Sequence, residues 1–178
     1  MTSRELEEYR ALRETIRERG TARHWIVLIG FGLWAALALT AVVLDAVPVA
    51  TLVPLFLLVV LFEVIFALHT GVERVGRYVQ VYFESSDETA RWENIAMAYG
   101  REFGGGGIYA LFTPVFWVAT LLNFIPVMLS GTIAVDWTVV GLVHLLFIAR
   151  VWVGRNQAGR QRAIDLQRFM KLKGESAG

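Results

Sequence analysis

The chain has 178 residues, of which 56% are hydrophobic and only 19% are charged, and its formal net charge is +1. Because a typical soluble domain carries about a quarter charged residues, this composition favours a membrane protein. The small net charge excludes the broad basic surface that a nucleic-acid partner requires, and the absence of Cys excludes disulfides and thiolate metal sites.

Residues 1–24 are predicted to form a cytoplasmic amphipathic helix. Thr2 and Glu5 have the spacing of a capping box, in which the hydroxyl and the carboxylate each accept a hydrogen bond from the other residue's backbone N–H. An apolar stripe follows at helical spacing: Leu6, Tyr9, Leu12 and Ile16. Gly20 is expected to end this helix. Its role stays open between a solvated extension of the first span and a helix that packs or oligomerises.

Four apolar runs are long enough to cross a bilayer, which takes about 20 residues. They cover residues 25–44, 47–68, 108–129 and 137–153. Because only short segments separate the first run from the second and the third from the fourth, we predict two transmembrane hairpins, over 25–69 and over 108–153. The predicted fold is therefore all-α, a polytopic membrane protein with four transmembrane helices in two hairpins plus cytoplasmic amphipathic helices.

Residues 70–107 are predicted to form a cytoplasmic helical linker between the hairpins. The linker contains an apolar helical face rich in aromatic residues, made of Trp92, Ile95, Ala96, Tyr99 and Phe103. Such a helix is expected to lie at the level of the lipid headgroups or against the transmembrane bundle. A run of four Gly then predicts a flexible hinge before the third span.

The distribution of basic residues predicts the orientation. All 17 Lys and Arg residues lie in residues 1–24, 70–107 and 150–178, and neither hairpin tip has one. The positive-inside rule therefore places both termini in the cytoplasm, with the protein in the plasma (inner) membrane. Residues 154–178 are predicted to be a basic helix and tail against the anionic leaflet. The strong preference for Arg over Lys is typical of a GC-rich bacterial genome.

Glu63 is a carboxylate inside the second apolar run. It lies about 24 Å along a helix that starts at residue 47, in the inner third of the bilayer. An ionised carboxylate at that depth costs about 2–3 kcal/mol unless a partner, a cavity or a proton offsets the cost. Arg150 and Thr113 lie near the same depth in the fourth and third runs. We therefore predict an ion pair between Glu63 and Arg150.

The polar face of the second helix is expected to continue beyond the membrane. His69 and Glu73, and likewise Glu73 and Arg77, are four residues apart and close enough to pair. In the fourth run, His144 is the deepest ionisable group. Together these side chains form the candidate functional cluster, which comprises Glu63, His69, Glu73, Arg74, Arg77, Thr113, His144 and Arg150.

The sequence has no nucleophile elbow, zinc-binding HExxH, Walker loop or dinucleotide fingerprint, so we predict no catalytic residue, no metal ligand and no cofactor. The leading prediction is a small, non-enzymatic integral membrane protein that contacts the lipid bilayer. It would assemble with itself or with a membrane-protein partner through its cytoplasmic helices. One alternative is an oligomeric unit that transports ions, protons or small solutes along a polar path near Glu63. A third is a membrane-embedded enzyme with a site facing the cytoplasm.

These three functions predict different structural features. A transport unit requires a polar cavity that reaches the bilayer midplane. An enzyme requires a cavity around His69, Glu73 and Arg77 that convergent side chains line. An assembly protein predicts an exposed apolar face on the N-terminal helix or on the linker helix.

Overall fold

The computed structural model describes residues 1–44, 47–84, 92–102, 111–129 and 134–176, and every regular element in these ranges is a helix. The elements in chain order are α1 (Ser3–Val43), a 3-10 helix (Pro48–Thr51), α2 (Leu52–Tyr82), α3 (Trp92–Glu102), α4 (Thr113–Leu129) and α5 (Ala134–Ser176). The predicted all-α class is thus confirmed for the described ranges. Three helices, α1, α2 and α5, are long and apolar enough to cross a membrane, and α4 is a shorter apolar helix.

The N-terminal helix and the first apolar run form one continuous helix. The predicted capping box is confirmed, because the Thr2 N–H donates to Glu5 Oε2 at 2.7 Å and the Glu5 N–H donates to Thr2 Oγ1 at 3.3 Å. The prediction that Gly20 ends the helix is wrong. One Gly in a helix interior costs only about 0.5–1 kcal/mol, and α1 has good helix formers on both sides of Gly20. The helix therefore continues to Val43 over about 60 Å.

Helices α2 and α5 also continue well beyond their apolar runs. As predicted, α2 carries a polar face past residue 68, and it ends at Tyr82. It begins at Leu52 rather than at Val47, because Pro48 opens a separate 3-10 helix. Helix α5 joins the fourth apolar run to the basic C-terminal segment without a break.

The long helices leave their apolar runs at one end of the bundle, which we call the charged end. It comprises residues 3–24 of α1, residues 69–82 of α2 with the two residues that follow it (83 and 84), residues 154–176 of α5, and the whole of α3. The short helix α3 is attached to this end by ion pairs. Polar contacts between helices are therefore concentrated here, outside the apolar segments.

Helix α2 lies at the centre of the bundle and packs against α1, α4 and α5. Its Phe62 is fully buried and has edge-on ring contacts with Phe116 of α4 and Phe147 of α5. Two Gly residues let the neighbouring helices approach α2 closely. A Cβ at Gly30 of α1 would lie 2.5 Å from a Leu61 methyl group, and one at Gly154 of α5 would lie 2.8 Å from the Phe62 ring.

Large apolar side chains also cover the outer surface of the apolar segments. Each helix of the bundle exposes several of them, including Leu28, Leu33, Val53, Phe56, Leu121, Leu122, Leu142 and Leu145. Soluble proteins rarely expose a contiguous apolar surface of this kind. The outer surface is therefore suited to direct contact with the lipid bilayer.

Candidate functional site

The predicted ion pair between Glu63 and Arg150 is present. Arg150 Nη2 donates to Glu63 Oε2 at 2.7 Å and so links α5 to α2. The Arg150 guanidinium also lies 5.5 Å and 5.2 Å from the ring centroids of Phe62 and Phe66. The Arg150 side chain remains 34% exposed and the Glu63 side chain 43% exposed, so the pair lies at the surface of the bundle.

We expect Glu63→Gln and Arg150→Met each to lower the free energy of unfolding by about 1 kcal/mol. This is less than the 3–5 kcal/mol typical of a fully buried pair, because Arg150 is exposed enough to reach water. The double variant should recover much of the loss. Unfolding of all four proteins in detergent gives the coupling energy. Simple additivity of the two single effects would mean that the pair does not stabilise the bundle.

The rest of the predicted cluster does not form one site. Thr113 begins α4 and is 1% exposed, and its hydroxyl has no hydrogen-bond partner among the described residues. His144 lies in a separate polar network at membrane depth. His69, Glu73, Arg74 and Arg77 belong to the charged end. The cluster therefore divides into membrane-depth groups and charged-end groups.

The polar network at membrane depth is centred on Asn123 of α4, which is 2% exposed. Its Nδ2 donates to the Thr51 carbonyl at 2.8 Å and contacts His144 Nε2 at 3.0 Å. Its Oδ1 accepts from Trp34 Nε1 at 3.4 Å. One side chain thus connects α1, the 3-10 helix before α2, and α5.

The hydrogen bonds of this network define one protonation state of His144. A carbonyl oxygen can only accept, so His144 Nδ1 donates to the Val140 carbonyl at 2.8 Å. Nε2 of the neutral ring then accepts from Asn123. Both N–H groups of the Asn123 amide and both nitrogens of the His144 ring are used within the bundle. This arrangement favours a structural role for His144 over one in proton transfer.

Glu93 of α3 is the centre of a polar network at the charged end. Its carboxylate accepts from Arg13 Nη1 at 2.7 Å and from Arg77 Nη2 at 3.2 Å. Burial raises the pKa of Glu93, while the two guanidinium groups oppose that shift. Burial likewise lowers the pKa of Arg77 against the opposing charges of Glu73 and Glu93. These three helices, α1, α2 and α3, therefore meet at one buried carboxylate.

Glu84 attaches the beginning of α3 to the end of α2. Its Oε1 accepts from the Glu93 N–H and its Oε2 from the Asn94 N–H, each at 3.1 Å. A carboxylate at the N-terminus of a helix satisfies free N–H groups and interacts favourably with the helix dipole. The polar face of α3 is thus fixed against α2.

The remaining candidates at the charged end pair with other helices. Glu73 Oε2 lies 2.7 Å from Arg162 Nε of α5, whereas Arg77, its predicted partner, is farther away at 4.0 Å. His69 Nδ1 accepts from Arg23 of α1 at 3.3 Å. These contacts hold α1 and α5 on either side of α2. Arg74 also connects α2 to α5, through Asp165 at 3.3 Å.

The apolar face of α3 points away from the bundle. Trp92, Ile95 and Tyr99 are 63%, 61% and 63% exposed, and Ala96 is exposed as well. Of the two environments expected for this face, packing against the transmembrane bundle is therefore wrong for these residues, and contact with the lipid headgroups stays a prediction. The fifth predicted member, Phe103, lies outside the described residues. The physical reason is that the buried side of α3 is occupied by the carboxylate of Glu93 and its two arginine partners.

Two cavities lie at membrane depth, and apolar side chains form most of their walls. One, of about 300 Å³, includes Trp34, Thr51 and Asn123 in its lining. The other, of about 500 Å³, includes Thr120 and His144. A third cavity, of about 520 Å³, lies at the charged end and is lined by His69, Arg155, Asn156, Ala158, Gly159, Arg160 and Arg162.

Asn123, Glu84 and Glu93 were harder to recognise in the sequence than the residues of the predicted cluster. Asn123 could be recognised as a polar residue in an apolar run, on the same helical face as Thr113 and Thr120. The two glutamates resemble ordinary charged surface residues in the sequence. No group of three or more potential metal-ligating side chains occurs within the described ranges. No protein-family model, curated protein or solved structure matches this chain.

Proposed function

We propose that this chain is a four-span membrane protein that acts by assembly through the exposed apolar face of α3, formed by Trp92, Ile95 and Tyr99. The observation that carries the proposal is the inverted burial of α3, whose charged Glu93 faces the bundle while its aromatic side chains face outward. A solvated helix normally has the opposite arrangement. The exposed face is therefore suited to contact another molecule.

The four-span topology is supported by the surface of α4. This helix has 17 residues, or about 25 Å of length. It buries Phe116 against the bundle and exposes apolar side chains on its other side: Val115, Val118, Leu121, Leu122, Ile125 and Met128. Because such a surface is stable in hydrocarbon, we propose α4 as the fourth span. Together with the distribution of basic residues, this gives two hairpins with both termini in the cytoplasm.

Cysteine labelling in intact cells tests this topology. Single cysteines at Asp45 and Thr132, one in each hairpin tip, should react with an impermeant reagent from outside. A cysteine at Arg160 should react only after lysis. Labelling of Arg160 in intact cells would contradict the proposed orientation, and absence of labelling at Thr132 alone would contradict α4 as a span.

The depth of α3 favours a protein over the lipid headgroups as the partner of its apolar face. Glu93 is bound to Arg13 and Arg77, which lie about 18 Å and about 13 Å beyond the apolar runs along their helices. The headgroup region extends only about 5–8 Å beyond the hydrocarbon on each side. The attachment of α3 thus places its apolar face mostly beyond the lipid, where a second copy or another membrane protein can cover it.

The two alternative functions have less support. A transport path near Glu63 requires polar walls at membrane depth, but the cavities of about 300 Å³ and about 500 Å³ at that depth are lined mainly by apolar side chains. The predicted enzyme site around His69, Glu73 and Arg77 requires the carboxylate of Glu73 and the guanidinium of Arg77 to be free for a substrate. Glu73 and Arg77 are instead engaged with Arg162 and Glu93.

Replacing Trp92, Ile95 and Tyr99 together by Ser should convert an assembled protein to a smaller species. Aromatic side chains in the centre of an interface commonly contribute 2 kcal/mol or more each, so loss of Trp92 and Tyr99 alone should weaken association by about a thousandfold or more. Light scattering coupled to size-exclusion chromatography in mild detergent measures the mass of the protein component. The Ser substitutions lie on exposed positions, so α3 itself should stay folded.

The matched control is Ile164→Ser with Met170→Ser, which removes exposed apolar side chains from α5 at the same end of the bundle. This control should keep the mass of the unmodified protein. An equal loss of assembly in both variants would contradict a specific role for α3. The proposal as a whole would be contradicted if the unmodified protein is already monomeric and free of partners, both in mild detergent and in nanodiscs.

A further inference from the structure

The cavity at the charged end between α2 and α5 has a basic lining. Arg155, Arg160 and Arg162 contribute guanidinium groups, Asn156 contributes an amide, and His69 contributes an imidazole. None of the residues that line this cavity is acidic. With a volume of about 520 Å³, the cavity is large enough for a phosphate group with its substituents. We call it the basic groove.

The charges around the groove are only partly neutralised by the protein itself. Glu73 lies 2.7 Å from Arg162 Nε and offsets one of the three arginines. Arg155 has an aromatic contact instead, with its Cζ 5.6 Å from the Trp152 ring centroid. On the α1 side, Arg23 adds a further cation next to His69. The groove therefore has an excess of positive charge that favours an anion.

The hydrogen bond from Arg23 to His69 leaves Nε2 of the His69 ring as a hydrogen-bond donor. His69 is 5% exposed, and its Nδ1 accepts from Arg23 Nη1 at 3.3 Å. In the neutral ring the proton is then on Nε2, which becomes a donor. Because guanidinium, amide and imidazole groups can all donate here, the groove offers several hydrogen bonds to the oxygens of a phosphate.

The position of the groove along the helices distinguishes between sources of phosphate. His69 and Arg155 lie within about 3 Å of the ends of the apolar runs, and Arg162 lies about 14 Å beyond. This range includes the layer of the lipid phosphates. Trp152, which stacks on Trp117 at 5.9 Å, is a residue type enriched at the same boundary. We propose that the basic groove binds the headgroup phosphate of an anionic phospholipid from the leaflet at the charged end.

Titration of the full-length protein in detergent with phosphatidylglycerol tests this proposal, with native mass spectrometry as the measure of binding. Phosphatidylcholine with the same acyl chains serves as the zwitterionic lipid, and inorganic phosphate as the soluble anion. Phosphatidylglycerol should bind most tightly. The variant Arg155→Gln with Arg160→Gln should weaken its binding by about 25-fold, at about fivefold for each arginine near the lipid surface.

The matched control, Arg4→Gln with Arg10→Gln, removes the same net charge from exposed positions on α1, far from the groove. It should bind phosphatidylglycerol as the unmodified protein does. A second variant, Asn156→Asp, adds a negative charge within the groove at constant shape and should also weaken binding. If the double arginine variant unfolds, binding of phosphatidylglycerol by Asn156→Asp still tests the groove.

Three results would overturn the proposal. Equal binding of the two lipids would mean that the headgroup charge is not recognised. Equal weakening in the groove variants and in the α1 control would mean that binding follows net charge alone. Inorganic phosphate that competes fully with phosphatidylglycerol at the same concentration would assign the groove to a soluble anion and not to a lipid.

Discussion

Glu93→Ala is expected to destabilise the charged end by about 3–5 kcal/mol, because it leaves the buried Arg77 without its closest carboxylate. Arg77 is 3% exposed and cannot reach water as a surface arginine does. Glu73, at 4.0 Å, is too distant to replace the hydrogen bond at 3.2 Å. The loss should detach α3, since Glu93 also connects this helix to Arg13 of α1.

Hydrogen exchange measured by mass spectrometry can locate this effect. Amides of α3 should exchange much faster in Glu93→Ala, while those of the apolar segments should change little. Glu102→Ala, which removes an exposed carboxylate from the same helix, should leave exchange unchanged. Combining Glu93→Leu with Arg77→Met should restore part of the protection, because replacing both members of a buried pair removes the unpaired charge. Unchanged exchange in Glu93→Ala would mean that α3 is attached by other contacts.

Asn123→Leu is the second substitution from which we expect a large effect, about 2–4 kcal/mol in the free energy of unfolding. Leu has a similar volume but leaves the Thr51 carbonyl, Trp34 Nε1 and His144 Nε2 without their shared partner. Each unsatisfied polar group in an apolar environment costs about 1–3 kcal/mol, and part of this is recovered by relaxation.

Thr120→Val is the matched control for Asn123→Leu. Thr120 is on the same helix and is just as buried, but its hydroxyl donates only to the Phe116 carbonyl of its own helix, at 2.7 Å. Its replacement should therefore cost less than about 1 kcal/mol. Thermal or denaturant unfolding in detergent compares the two variants. Similar stability losses at both positions would contradict the role of Asn123 as the link between helices.

The sequence allowed the ion pair at membrane depth to be predicted, since Glu63 and Arg150 are opposite charges at equal depth in two apolar runs. It did not allow the Asn123 network to be predicted. Depth follows from counting residues, whereas the network depends on how α1, α4 and α5 are rotated about their own axes. That rotation is fixed by packing, including the close approaches at Gly30 and Gly154.

The sequence left two environments open for the apolar face of α3, the lipid headgroups or the bundle, and the second is wrong for a related reason. The apolar spacing of Trp92, Ile95 and Tyr99 correctly identified a helix with one aromatic face. Which face turns inward depends on Arg13, which is distant in the sequence, and on Arg77 of α2. These long-range ion pairs outweigh the local pattern.

The continuation of α1 through Gly20 was also predicted wrongly from a local signal. The small local cost of one Gly does not end a helix that has good helix formers on both sides.

Site-specific photo-crosslinking from Ile95 in native membranes tests the proposed assembly most directly. A photoreactive amino acid at this exposed position should yield one discrete protein adduct, either of twice the chain's mass or of the mass of the chain plus a partner. The same amino acid at Met170, an exposed position on α5 at the same end of the bundle, should yield little of that adduct, and Trp92→Ser should reduce it. An Ile95 probe that reacts only with lipid, or not at all, would contradict assembly through α3.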